Sequence, residues 1–437
     1  MRSRLALESC RRPHHSCKPS HTPKPTSTLR VAWDVTGRGL FVSIMVIMLA
    51  SHNVLATSAV GLTDSLSLSE EDLGLNGVTI DSDATTAVVY GQEGYVRVLD
   101  ANDPNQQVEM VWNGVSELHD ADFHPGGQTA LIVGDHGVVL RYAKQDQSLE
   151  RAASDVSLDY AKITAVAWNT AGSWAYVGTE EGQIWRMRAA EDGGAELHAL
   201  SAAGTSEITA IDCHDTIMMC VVSANVEGIG IIERDHTFTW VGGTGYPWTG
   251  VECPSGETPY CVAVADSQII AHIELNPEDL SASIPSISRL QNLDLYFIGI
   301  DAQEGDRTLI ATTPTSLVEH DISLNGSYPW LEHSDIENLN LSSDRIVGTW
   351  ATGKDSGWIV TSRGYLFQYV PTLSESPGLL SLWIVIAIPA ATGLVVLCLV
   401  YLASPKKMQD WTIERIGNED ERKYLARRRA KQQRKRR

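Results

Sequence analysis

The sequence predicts an all-β fold, a seven-bladed β-propeller, and three observations predict it. Residues 163–188 (ITAVAWNTAGSWAYVGTEEGQIWRMR) read as strand, Gly-containing turn, strand, tight acidic turn, then a third strand with alternating polarity. The same pattern lies over residues 118–142 and 208–232. The end of its second strand recurs at Gly91, Gly134, Gly178, Ser223, Ala265, Thr312 and Thr361, at intervals of 43, 44, 45, 42, 47 and 49 residues. A four-stranded blade takes about 40 to 45 residues, so these intervals fit a propeller and are too long for ankyrin or leucine-rich units. A propeller absorbs residues 63–370 of the 437 as one unit, because each blade buries its faces only against its neighbours.

Taken in chain order, residues 1–38 are rich in Pro, His, Ser and Arg, without periodicity, and are expected to be disordered. Cys10, His14, His15, Cys17 and His21 are metal-ligating residue types, but their spacing matches no zinc motif. Residues 39–59 hold an apolar run of about ten residues at 40–49, preceded by Arg30 and Arg38 and followed by small residues at 56–59. This is the pattern of a signal peptide, or of an uncleaved anchor, with cleavage expected near Ser58 or Ala59. The alternating stretch 64–68 (DSLSL) has a topological task. After Tyr369 too few residues remain for a fourth strand in blade seven, so this stretch is expected to supply its outer strand and close the ring.

Blades one to seven follow, and their segments resemble WD-repeat blades. AVAWNTAGSWAYVGTEEGQIWRM and ADFHPGGQTALIVGDHGVVLRY fill the slots of strand, Pro/Gly turn, strand, acidic-Gly turn and strand. The resemblance covers residues 63–370 and is degenerate: the family's terminal Trp-Asp is nearest in Leu99-Asp100, and its Gly-His pair is missing. It implies the propeller fold and no particular member of the family.

Four cysteines lie within the blades. Cys213 and Cys220 take the slots of Trp168 and Ala175, at the end of one strand and the start of the next, where antiparallel neighbours bring Cα atoms within disulfide reach. The expected bridges are Cys213–Cys220 and Cys253–Cys261, which imply an oxidising compartment. Two Tyr-Pro-Trp triplets put Tyr246 and Trp248 after Trp240, and Tyr328 and Trp330 before blade seven. Aromatics of this kind anchor protein or glycan contacts, or pack an outer strand onto its blade. Asn325 and Asn340 head N-glycosylation sequons.

Residues 378–401 (GLLSLWIVIAIPAATGLVVLCLVY) carry no charge. At about 1.5 Å per residue they are long enough for a hydrocarbon core of about 30 Å, so a transmembrane helix is expected over 378–402. Charge divides on either side. Residues 60–377 contain 13 Lys/Arg and 47 Asp/Glu, a net of −34, whereas residues 1–39 have 8 against 2 and residues 404–437 have 13 against 5. Basic flanks belong in the cytoplasm by the positive-inside rule, which puts the acidic propeller outside and the basic tail, 404–437, inside.

No Gly-x-Ser-x-Gly, phosphate-cradling Gly loop or His-Glu-x-x-His is present. His119, Asp120, Asp122 and His124 cluster in blade two; on a strand Asp120, Asp122 and His124 share one face and form a weak candidate for a divalent cation, absent from the matching slots Ala165, Ala167 and Asn169. No cofactor is indicated, although loosely held Ca²⁺ is compatible with so acidic a domain. The charge disfavours nucleic acid as a partner of the propeller. The expected function is a protein-interaction scaffold anchored in the membrane, with envelope proteins as partners and a role in their assembly or quality control. Two alternatives stand beside it: a hydrolase or lyase with carboxylate and histidine groups in the central funnel, and a ligand or glycan sensor.

Overall fold

The computed structural model describes residues 58–371, apart from 153–157, 159, 191–193, 202–203, 256–257, 291–294, 338 and 340–342, together with residues 393, 395 and 403–436. Two units result, 57–373 and the remaining terminal segments.

The larger unit is a propeller of seven four-stranded antiparallel sheets. In blades one to six the strands follow chain order from the innermost outward, beginning with Leu75–Ile80, Leu118–Phe123, Ile163–Trp168, Ile208–Cys213, Trp248–Glu252 and Tyr296–Ala302. Blade seven begins with Ile346–Gly353 and takes its outermost strand, Val60–Ser67, from the N-terminal side of the chain. That strand pairs antiparallel with Tyr365–Pro371, from Val60 opposite Pro371 to Ser67 opposite Tyr365. The closing strand starts four residues earlier than the alternation at 64–68 suggested, because Val60 is itself buried in the interface between blades six and seven. The chain therefore enters and leaves the ring side by side.

The core has no single centre. Among the described residues the buried apolar side chains fall into seven clusters, each shared by two adjacent blades. The last links blade seven to blade one: Trp350 and Trp358 pack with Leu75, Val89 and Leu99, and the Trp350 indole N–H donates to the Ala101 carbonyl at 2.9 Å. This arrangement explains the patterns of the strands. Second strands such as Thr86–Gly91 are covered on both faces and are mostly apolar, whereas outer strands such as Ser286–Arg289 are exposed and mostly polar.

Both expected disulfides are present. Cys213 and Cys220 are cross-strand partners with Cα atoms 3.9 Å apart; Cys253 and Cys261 lie one step beyond the Glu252–Val262 pair, with Cα atoms 4.1 Å apart. Asn325 occupies the hairpin turn of blade six with φ 47°; residue 340 lies outside the described residues.

In the smaller unit, helices span Lys406–Ile416 and Glu419–Arg436. The second opens with a reciprocal cap: the Glu421 N–H donates to Asn418 Oδ1 at 3.0 Å and the Asn418 N–H to Glu421 Oε2 at 3.1 Å. An Arg429–Glu414 ion pair joins the two helices. Among the described residues no helix is long and apolar enough to cross a membrane. Residues 1–57 and, apart from 393 and 395, residues 378–401 lie outside the described residues, and with them most of the signal segment and the expected span.

Candidate functional site

The site grows out of one irregularity repeated seven times. Each first strand has a β-bulge near its start, between Leu75 and Gly77, Leu118 and Asp120, Ile163 and Ala165, Ile208 and Ala210, Trp248 and Gly250, Phe297 and Gly299, and Ile346 and Gly348. A bulge re-aims the side chains that follow it. Here it sets up two layers around a central channel of about 970 Å³.

The first layer holds Gly77, Asp120, Ala165, Ala210, Gly250, Gly299 and Gly348, all small but Asp120, and at Gly250 and Gly348 the first strand of the next blade approaches closely. A Cβ on Gly348 would lie 2.5 Å from Val78 Cγ1 of blade one. The second layer, two residues on, holds Thr79, Asp122, Ala167, Asp212, Glu252, Asp301 and Trp350. Four of these seven are acids, from blades two, four, five and six. With Asp120 they make five carboxyls lining one channel.

Most of these carboxyls bond to the next blade. Asp120 Oδ2 accepts the Val166 N–H at 2.8 Å, and its Oδ1 accepts the Tyr90 hydroxyl of the preceding blade at 3.3 Å. Asp122 Oδ2 accepts the Trp168 N–H at 2.7 Å. Asp212 Oδ2 accepts the Cys253 N–H at 2.5 Å, while its Oδ1 accepts the Cys213 N–H at 2.7 Å, so it touches one cysteine of each disulfide. Asp301 Oδ2 accepts the Thr349 hydroxyl at 3.1 Å. Glu252 is different: among the described residues no group hydrogen-bonds to its carboxyl.

The electrostatics follow from this crowding. Burial pushes the Asp120 and Asp301 carboxyls up to about 7, against the N–H and hydroxyl donors that favour their charged forms. Asp212 is raised by burial and further by the charges of Asp215 and Asp120. Asp122 lies well above the usual carboxylate range, through burial and the nearby Asp212 and Asp120. Glu252 is also raised well above it, by burial and then by Asp212, Asp301 and Asp122. The channel thus holds protons near neutrality.

Of the residues singled out in blade two, Asp120 and Asp122 are brought together in the channel. His124 is directed elsewhere: its Nδ1 accepts the Gly126 N–H at 2.9 Å, its Nε2 lies 3.0 Å from the Gly172 carbonyl, and its ring meets Trp168 edge-on. Among the aromatics, Trp248 is 1% exposed and its indole N–H donates to the Gly243 carbonyl at 2.7 Å. Trp330 is buried against Tyr369, Trp240 is half-buried against Phe238, and Tyr246 is half-buried against Trp248. Tyr328 is 49% exposed. The two Tyr-Pro-Trp triplets are inequivalent: one leads into the first strand of blade five, the other lies in the outer strand of blade six.

Sequence reasoning missed Asp212, Glu252 and Asp301. Their equivalence becomes visible when the first strands are aligned from the bulge onward, since loops of different length precede them. All-β and built of seven blades around an acidic channel, the chain matches no protein-family model.

Proposed function

We propose that this chain is a membrane-anchored, extracytoplasmic β-propeller of degenerate WD-repeat type that serves as a protein-interaction scaffold, with envelope proteins as its partners. The observation that carries the reading is that Asp120, Asp122, Asp212 and Asp301 are bonded to main-chain or hydroxyl groups of adjoining blades. These acids act as inter-blade ties in a closed ring, and a rigid ring with loops on both faces is a platform for partners. The uncharged stretch 378–401 and the charge division on either side of it support anchoring with the propeller outside. The two disulfides support an oxidising compartment. The step from fold to role is by analogy.

A second reading is favoured by Glu252, whose unpartnered, proton-retaining carboxyl in the channel is suited to a general acid. Photocrosslinkers at Leu324 and Tyr328, both exposed on the outer hairpin of blade six, and at Glu252 separate the two in native membranes. A scaffold predicts that the outer positions capture the same envelope protein and that Glu252 captures none. No capture at outer positions, together with a small molecule retained by the wild type and lost in Glu252→Gln, overturns it.

A further inference from the structure

The rim of the channel contains a second constellation, built by the same repeat. In six blades the residue after the second strand donates its N–H to the carbonyl of the residue before the first strand: Gln92 to Gly74, Asp135 to Glu117, Glu180 to Lys162, Asn225 to Glu207, Asp266 to Pro247 and Ser362 to Arg345, at 2.8 to 3.2 Å. In blade six the matching residues, Thr313 and Tyr296, are strand partners. The two residues at these positions are therefore neighbours in every blade. In blade three they are Lys162 and Glu180, an ion pair at 3.6 Å. In blade two they are two carboxylates, Glu117 and Asp135, and the bulge residue beside them is His119.

Glu117, His119 and Asp135 each present one ligand atom within 4.8 Å of the others, and all three are half-buried. His119 Nε2 stands 2.8 Å from Asp135 Oδ1. Asn76 of blade one donates from Nδ2 both to Glu117 Oε1 and to the Leu118 carbonyl, each at 2.9 Å, which fixes the Glu117 carboxylate. Among the described residues no Lys or Arg pairs with Glu117 or Asp135. In blade three Lys162 neutralises the single carboxylate of the pair; in blade two both places are carboxylates and an imidazole stands beside them.

We propose that Glu117, His119 and Asp135 form a site for a divalent first-row transition ion at the channel rim, with Asn76 as a positioning residue. An imidazole with two carboxylates suits Zn²⁺ or Mn²⁺ better than Ca²⁺, which prefers oxygen ligands alone. Ligands about 2.1 Å from a tetrahedral ion lie about 3.4 Å apart, so shifts on the order of 1 Å bring the three atoms into place. Three protein ligands leave a coordination position open. Since His119 also lines the channel, that position is within reach of a guest there.

The test uses the full-length chain in detergent, stripped with EDTA and titrated with ZnCl₂ by calorimetry and with CoCl₂ by visible absorption. One saturable equivalent is expected, with a cobalt spectrum characteristic of a low-coordinate nitrogen-containing site. His119→Gln and Glu117→Gln each abolish it, Asn76→Ala weakens it by about 10- to 100-fold, and Glu180→Gln in blade three leaves it unchanged. Far-UV circular dichroism establishes that each variant is folded, and the two ligand variants are independent, so either one decides if the other does not fold. Absence of a saturable equivalent in the wild type, or an equivalent that survives a folded ligand variant, overturns the proposal.

Discussion

Asp212 shows how much one side chain does in this fold. Its two oxygens hold the N–H groups of Cys213 and Cys253, in different blades, and its charge is felt by Asp122 and Glu252 across the channel. Such acids make stability depend on pH. Asp301, raised from an ordinary value of 3.8 to about 7, carries more proton in the folded than in the unfolded state between those limits, so its contribution is full below about pH 4 and is lost as pH rises through 7. Buried His320, pushed down to about 4 by burial and by His272, acts the other way, but only below pH 6.5. Between pH 6.5 and 8 the carboxyls dominate. The melting temperature should fall across that interval, and Asp301→Asn, which still accepts from Thr349, should flatten the fall; equal slopes in the two proteins would contradict this. The disulfides are a second residue-scale matter. Each closes a short loop, with separations of 7 and 8 residues. Replacing both Cys213 and Cys220 with Ala should cost about 2 to 3 kcal/mol on the chain-entropy account, measured by denaturant unfolding.

At the scale of elements, the closing strand carries the greatest consequence. Val60 is buried, Leu62 and Leu66 are partly so, and the strand pairs along the final strand of the chain. Full burial of one such side chain contributes about 1.5 to 3 kcal/mol, so deleting residues 60–67 should remove several kcal/mol and expose both an edge and a blade face. The expected result is a broad, low-temperature calorimetric transition with aggregation. A sharp transition at the wild-type temperature would show that the ring does not depend on this strand. Strands of this kind were readable from the sequence because polar-apolar alternation, Gly turns and residue counting are local signals. The pairing of Cys213 with Cys220 was readable for the same reason. Two second-strand landmarks, Gly178 and Ser223, sit one residue before the positions equivalent to Gly134, because Thr179 and Ala224 pair with the starts of their first strands. The channel could not be read in this way. Its second-layer acids are four among 47 in residues 60–377, and what distinguishes them is a shared register after a bulge, which leaves no local mark in the sequence. The trio at Glu117, His119 and Asp135 depends in turn on a contact between the two ends of a hairpin.

For the whole molecule, the separation of charge is the feature that ties fold to proposed role. A propeller segment of net −34 and a tail with 13 basic and 5 acidic residues are divided by 26 uncharged ones, 378–403. In the tail helix Glu419–Arg436 the acids occupy the first turn and bases follow through to the last, an order the helix dipole favours. An outward-facing propeller with an inward-facing tail accounts for the division, and labelling of single introduced cysteines tests it most directly. With a membrane-impermeant maleimide on intact cells, and the unsubstituted chain as background, Glu181→Cys on an exposed turn of blade three should label at once, whereas Gln432→Cys should label only after lysis. Labelling of Gln432→Cys in intact cells, with Glu181→Cys protected until lysis, would contradict an extracytoplasmic propeller.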